Sequence, residues 1–188
     1  MSLRHILLGL LDEPKSGYDI KQLFNKIFRH FWSAELSQIY PALSQLERDG
    51  LSRSHNEASA KGPARRVYKR TAQGTRTHKA WLRAGPEVGK DRVSYLTQVF
   101  FLDAVPAAER LAFLTDLRQH FADELEELRE VDRNWAAEDQ RYPDQLPDES
   151  LYKQFTLRLG LKKIAATVAW CDECIEVIKA SIKKRPKV

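Results

Sequence analysis

The stretch SAELSQIYPALSQLERDGL, residues 33–51, decides the fold. Its apolar residues Leu36, Ile39, Leu43 and Leu46 are spaced by three, four and three, which gathers them on one face of a helix. Ser37, Gln38, Ser44, Gln45 and Arg48 fall between them, so the opposite face is polar without being simply charged. The spacing predicts a helix opening at Ser37, whose hydroxyl can cap the first turn. Pro41 then lies near enough to the start for its missing N–H to cost little. Gly50 stands where a left-handed residue ends a helix, and Leu51 can fold back in a Schellman-type stop. One buried stripe, one hydrogen-bonding stripe and a sharp end are what a DNA recognition helix requires. An ordinary amphipathic helix has the same spacing, so the flanks decide.

Upstream, residues 3–11 form a first helix that stops at the Asp12-Glu13-Pro14-Lys15 turn. Ser16 caps a second, running to about His30, with Ile20, Leu23, Phe24, Ile27, Phe28 and Phe31 at helical spacing. A short link joins it to the quoted stretch, giving a helix-turn-helix. Downstream, residues 51–55 and 65–70 are short strand candidates around a loop of small and turn residues. That hairpin carries Arg53, Lys61, Arg65, Arg66, Lys69 and Arg70, with few acids beside Lys61, Arg65 and Arg66. Thr71 caps a fourth helix to about Arg83, which closes at Gly85-Pro86. Three helices and a basic hairpin make a winged helix-turn-helix, whose wing sets cations on phosphates or one arginine in the minor groove. Lys61, Arg65 and Arg66 are its candidate DNA contacts. Gln38, near the start of the recognition helix, carries an amide suited to an adenine edge.

The charge agrees. Residues 1–90 hold 16 Lys and Arg against 8 Asp and Glu, while residues 91–188 hold 15 against 18. A basic first half joined to an acidic second half predicts that only the first meets a polyanion. No apolar run approaches the roughly 18 residues of a membrane span, so no membrane partner is expected. The helical periodicity of Leu3, Ile6, Leu7 and Leu10 reads as helix and not as a signal peptide. Two cysteines give no disulfide framework, which fits a reducing cytoplasm.

Residues 84–92 are a linker by composition, dividing a domain over 1–86 from one over 87–188. The second reads as helix throughout: residues 93–104, Pro106 (at the first helical position) to about Glu138, and Asp148 to about Lys183. In the last of these Leu157, Leu161, Ile164, Val168, Cys171, Ile175, Ile178 and Ile182 alternate spacings of four and three, a seam of coiled-coil type. A twofold partner would cover it, giving a homodimer whose contact residues are Leu157, Leu161, Ile164, Val168, Ile175 and Ile178. The helix from Pro106 folding back would satisfy the same seam. The fold class is therefore mainly α: an N-terminal winged helix-turn-helix of three to four helices with a two-stranded wing, then a long-helix dimerisation domain.

Six stretches, LRHILLGLL, SGYDIKQLF, SQIYPALSQLERDGL, VYKRTAQG and, later, YLTQVFFLD with LRLGLKKIAATVAW, carry a resemblance. The chain resembles the PadR family of bacterial transcriptional regulators over nearly its whole length. Its second half resembles the C-terminal helical domain of the family's virulence-activator branch. The resemblance implies a dimeric winged-helix protein that binds double-stranded DNA, usually a repressor, its long C-terminal helices interlocking across the twofold axis. Some relatives respond to phenolic acids or flat aromatic drugs, so a small aromatic effector is implied, with no pocket that carries over. By matching motif, Ser37, Gln38, Tyr40, Pro41 and Ser44 correspond to the DNA-facing helix surface, with the Tyr40 hydroxyl near the phosphate backbone.

Other chemistry is weakly signalled. Cys171 and Cys174 form a CxxC in mid-helix, with no helix N-terminus to lower a thiol pKa and no further zinc ligands, so packing is the reading. The five histidines are dispersed, and no metal or cofactor is implied. The acidic run over 123–130 reads as a solvated helix face. No phosphate loop, dinucleotide fingerprint or nucleophile elbow is present, so no enzyme is expected. Trp32, Trp81, Trp135 and Trp170 are core anchors or the lining of an aromatic cavity. The alternative from another class is a dimeric helical interaction protein that uses the winged helix to dock a protein.

Overall fold

The computed structural model describes residues 3–28, 31–59, 62–89 and 92–184. They fall into two compact units, residues 1–90 and 91–188.

The first unit begins with α1, Leu3–Leu10, and a two-residue strand β1, Lys15–Ser16. Helix α2, Gly17–Leu23, follows, and the chain continues as a π-helical turn over Phe24–Phe28. Then come α3, Leu36–Arg48; the wing strands β2, Ser52–Ser59, and β3, Gly62–Arg70; and α4, Ala72–Arg83. The sheet is antiparallel in the order β1-β3-β2. Residues 12–15 read as a plain turn, yet Lys15 and Ser16 pair with Tyr68 and Val67 and close the sheet from the far side of β3. A two-residue strand has no periodicity to detect, so only the pairing reveals it.

Ser16 caps α2 reciprocally: its Oγ accepts from the Asp19 N–H at 3.2 Å, and Asp19 Oδ2 accepts from the Ser16 N–H at 2.9 Å. The widening at Phe24–Phe28 departs from the regular helix expected there. It leaves Phe24 buried and Phe28 half-buried, with ring centroids 5.3 Å apart, and turns Ile27 to solvent. A π-turn holds an extra residue, so positions beyond it lose the face that a 3.6-residue period assigns them. Leu7, Leu8, Leu11, Ile20, Phe24, Ile39, Leu43, Leu46, Leu51 and Tyr68 share one core. It is built from the apolar stripes of α1, α2 and α3, closed by β3.

The end of α3 is the Schellman stop expected of Gly50-Leu51. Gly50 has φ +69°, the Leu51 N–H reaches the Leu46 carbonyl at 2.8 Å, and the Gly50 N–H reaches Glu47 at 3.0 Å. The Leu51 side chain enters the core while its carbonyl accepts from the Thr71 N–H at 2.9 Å. Thr71 in turn caps α4. Gly74, in the first turn of α4, lies so close that a Cβ there would be 2.1 Å from the Leu51 carbonyl oxygen.

In the second unit α5, Ser94–Phe100, and a 3-10 turn, Leu102–Ala104, lead into α6, Ala107–Glu138, and α7, Asp148–Lys184. Pro106 is the N-cap of α6 and not its first helical residue. Helices α6 and α7 form an antiparallel pair. Leu157, Leu161, Ile164 and Val168 of α7 pack with Phe121, Leu125, Leu128 and Trp135 of α6. Cys171 and Ile175 continue the buried line, Ile178 is half-buried, and Arg118 crosses to Asp172 at 2.7 Å. The seam that a twofold partner was expected to cover is thus occupied by α6 of the same chain. A four-three pattern specifies a helical partner without saying whose helix it is. Other apolar side chains stay open: Leu96, Phe100 and Phe101 around α5, and Tyr152, Phe155, Leu159 and Val177 on the outer face of α7.

The Gly74 contact predicts that Gly74→Ala will lower the unfolding free energy by about 1–3 kcal/mol, because backbone must move to admit the methyl group. Gly89→Ala, with nothing within 4 Å of the added atom, should stay within about 0.5 kcal/mol of wild type. Urea midpoints of the two variants make the comparison.

Candidate nucleic-acid interface

The outward face of α3 starts from its N-terminus. The cap is Glu35, not Ser37: the Gln38 Oε1 accepts from the Glu35 N–H at 3.0 Å. Lys21 Nζ binds both the Glu35 carboxylate, at 2.8 Å, and the Ala34 carbonyl, at 3.1 Å. A carboxylate at this end also suits the helix dipole. With Leu36 as first residue, Pro41 sits inside the helix, and the Ser37 carbonyl lacks its usual N–H partner. Ser37 and Pro41 are both exposed, so water can satisfy that carbonyl.

Ser37, Gln38, Tyr40 and Pro41 are exposed and Ser44 is half-buried, so all five lie on or beside one accessible stripe. Further along it Arg48 Nη2 donates to Gln45 Oε1 at 2.6 Å, and Gln45 Nε2 donates to Asp49 at 2.7 Å. The Tyr40 ring lies across the start of α2, where a Cβ on Gly17 would come within 2.5 Å of it. Tyr18, 58% exposed, stands next to that contact. Hydroxyls, an amide and a guanidinium on one helix face can meet both phosphates and base edges.

The wing departs from expectation. Lys61 lies outside the described residues. Arg65 and Arg66, expected to have few acids nearby, are both paired with them. Arg65 pairs with Glu57 at 2.9 Å and with Asp19 at 3.6 Å. Arg66 pairs with Glu47 at 2.6 Å, and its guanidinium carbon lies over the Tyr68 ring, 5.4 Å from the centroid. The cause is register: Glu57 stands opposite Arg65 across the hairpin, and Ser54, bound to Glu47, stands opposite Tyr68. Linear distance hid both pairs, since Glu47 and Arg66 are 19 residues apart. Each arginine still exposes about half of its side chain.

The Ser54 hydroxyl on Glu47 lowers that carboxyl below its ordinary range, against the opposing effect of burial and with help from the Arg66 charge. Burial would raise Asp19, but the Ser16 N–H and hydroxyl and the Arg65 charge outweigh it. Both carboxylates are therefore fixed anions beneath fixed cations. Glu47, Ser54, Asp19 and Gly17 escaped the reading of the sequence. The one available signal was the serine-acid spacing of the α2 cap.

Elsewhere, chemistry is quiet. Burial pushes up the thiols of Cys171 and Cys174, which keeps them protonated and fits packing. Among the described residues no group of three or more His, Cys, Asp and Glu could hold a metal, and no helix is long and apolar enough to cross a membrane. Trp81 stacks on His5 at 5.0 Å and donates to Glu87 at 2.8 Å, while Trp135 packs on Tyr142 at 5.4 Å. An open hollow of about 430 Å³ lies beside α5, lined by Arg92, Val93, Ser94, Leu96 and Thr97 and by none of the tryptophans.

Comparison with known proteins agrees with this geometry. Residues 6–80 match the model of the transcriptional regulator PadR-like family, and residues 92–179 match the virulence activator alpha C-terminal model. The chain is similar to the negative transcriptional regulator PadR of Bacillus subtilis, 27% identical over 180 residues, covering 94% of this chain and 97% of that protein. A probable transcriptional regulator of Mycobacterium tuberculosis is 25% identical over 191 residues, covering 95% and 98%. The Bacillus subtilis protein has been solved with operator DNA, and this chain superposes on it with a TM-score of 0.80 at 25% identity over 94% of this chain and 98% of the other. Its complex with p-coumaric acid gives a TM-score of 0.72 at 26% identity, over 94% of each chain. The Vibrio cholerae virulence activator AphA shares the fold, with a TM-score of 0.73 at 22% identity over 96% and 99%.

The depressed Glu47 carboxyl has a sign that can be checked. Its folded-state pKa lies below the unfolded one, so its contribution to stability is full above the ordinary value of 4.5 and is lost as pH falls through the depressed value. Glu47→Gln should melt below wild type at neutral pH, and the gap should close on acidification. A gap that persists unchanged at low pH would mean that the ionised carboxylate contributes nothing.

Proposed function

The chain belongs to the PadR-like family of transcriptional regulators, and from that premise we propose that it is a cytoplasmic homodimeric repressor that binds a palindromic operator and is released by a small aromatic effector. It is a regulator and not an enzyme, and its reading needs no cofactor. The observation that carries the proposal is the outward stripe of α3 with the paired arginines of the wing, in a chain similar end to end to a repressor captured on its operator. The p-coumaric acid complex of that same relative supports the effector.

In this reading α3 enters the major groove and the wing lies along the backbone. Ser37, Tyr40, Pro41 and Ser44 position the helix, with the Tyr40 hydroxyl toward a phosphate. Gln38 reads a base, and its capping bond changes what it can read. A bidentate grip on adenine needs both amide oxygen and amide N–H, but the oxygen already spends one of its two lone pairs on the Glu35 N–H, which ties its direction to the cap. The free Nε2 donors suit acceptor edges instead, such as guanine O6 and N7 or thymine O4. Arg65, Arg66 and, from its place in the sequence, Lys61 grip phosphates. A protein-docking module would bind without the steep salt dependence that released counterions impose on DNA binding.

A second copy is the partner assigned to the open apolar side chains of the second unit. Twofold reading of a palindrome requires it, and α6 already fills the seam from Leu157 to Val168. The outer face of α7, with Tyr152, Phe155 and Leu159, is then the surface to which the partner docks. The double variant Phe155→Glu/Leu159→Glu should sediment as a folded monomer with weakened operator binding. Ile164→Glu should instead break the α6–α7 pair and lose helical signal, since a buried unpaired charge costs several kcal/mol. A dimer that survives the double variant would place the interface elsewhere.

For DNA, Gln38→Glu keeps an oxygen for the cap but removes the donors. It should lose about 1–3 kcal/mol of preference for the selected site over random duplex while its melting temperature holds. Sites selected from a random duplex pool, with and without p-coumaric acid, supply the probe. Equal losses on selected and random DNA would make Gln38 a spacer.

A further inference from the structure

Glu47 lies near the C-terminal end of α3 and is locked on both oxygens. Its Oε1 accepts from the Ser54 N–H at 3.1 Å and from the Ser54 hydroxyl at 2.6 Å. Its Oε2 accepts from Arg66 Nη2 at 2.6 Å, and Arg66 Nε donates to the same Ser54 hydroxyl at 2.8 Å. Carboxylate, hydroxyl and guanidinium therefore close a ring that joins the recognition helix to both strands of the wing. The ring is directional. Glu47 is the inner member, its side chain 30% exposed, and Arg66 the outer, 54% exposed. A guanidinium carries five N–H groups, of which the ring consumes two. The three that remain include both on Nη1, and the guanidinium carbon lies over the Tyr68 ring, 5.4 Å from its centroid.

We infer, on the DNA-binding reading above, that Glu47 is a positioning residue for that binding. It holds the Arg66 guanidinium at a set place relative to α3, so that its remaining donors meet a backbone phosphate beside the groove that α3 reads. An arginine free at the surface loses rotamer freedom when it grips a phosphate, and one already held does not. The carboxylate takes away part of the local positive charge. In return it makes the spacing between base reading and phosphate gripping a property of the folded protein. A bare charge on a flexible stem cannot do this, because the fork of the guanidinium is what both Ser54 and Glu47 engage.

The test measures anisotropy of a labelled selected duplex at several salt concentrations, with full-length wild type, Glu47→Gln, Arg66→Ala, Arg66→Lys and the Glu47→Gln/Arg66→Ala pair. Arg66→Ala should bind about tenfold more weakly and flatten log affinity against log salt by about 0.9 per half-site. Glu47→Gln should match it in both respects, and adding it to Arg66→Ala should change nothing further. Arg66→Lys, which keeps the charge and leaves Glu47 in place, should behave like Arg66→Ala. It carries the test if Glu47→Gln does not fold by circular dichroism. Tighter binding with a steeper slope in Glu47→Gln would make Glu47 a competitor of the phosphate and overturn the inference. An equal loss from Glu47→Gln with and without Arg66 would overturn it in favour of general support for the fold, and wild-type affinity in Arg66→Lys would reduce Arg66 to a bare charge. Wild type that binds no duplex would remove the DNA-binding reading itself, a failure distinct from these three.

Discussion

The DNA-binding unit depends on the chain reversal at Gly50-Leu51. One residue, Leu51, does four things there. Its N–H ends α3 on the Leu46 carbonyl, its side chain fills the core, its carbonyl starts α4 through Thr71, and that same carbonyl leaves room only for a glycine at position 74. The reversal needs a positive φ at residue 50, which glycine adopts without the penalty that a Cβ brings. From this point β2 departs at a fixed angle to α3, and Glu47 comes to face Ser54. The ring of Glu47, Ser54 and Arg66 then ties the wing to α3.

Charge in this unit is organised in pairs rather than presented as a bare cationic surface. Single exposed ion pairs contribute about 0–1 kcal/mol each, so they do not hold the unit together; the shared apolar core of α1, α2 and α3 does. What the pairs supply is geometry. Asp19 serves the α2 cap and also faces Arg65, while Glu47 serves the wing and also holds Arg66. The excess of cations over the first 90 residues is real, but at the wing its local field is tempered by acids that the strand register brings near.

The second unit solves a different problem, that of two long helices too apolar to stand apart. Pairing α6 with α7 buries Leu125, Leu128, Leu157 and Ile164 and leaves a second set of large side chains outside. Val177 of α7, at 69% exposed, is the extreme case. A helix with apolar residues on two faces can contact two neighbours, and α6 takes one of these faces.

Much of this was legible in the sequence. Local signals named α3, its Gly50-Leu51 stop, the Thr71 cap and the extent of α4, because each rests on residues within a few positions of one another. Periodicity found α6 and α7 and the residues of their seam. The sequence also exposed the polar stripe from Ser37 to Ser44, since helical spacing alone puts those residues together. Three things were decided only by the tertiary structure. The cap of α3 moved from Ser37 to Glu35, because Lys21 and Gln38 are both placed to serve it. The acids beside Arg65 and Arg66 come from α2, α3 and the opposite strand, and sequence separation carries no trace of such contacts. The seam of α7 found its partner in α6, because a heptad pattern encodes a matching surface and leaves the identity of the matching chain to the connection between them.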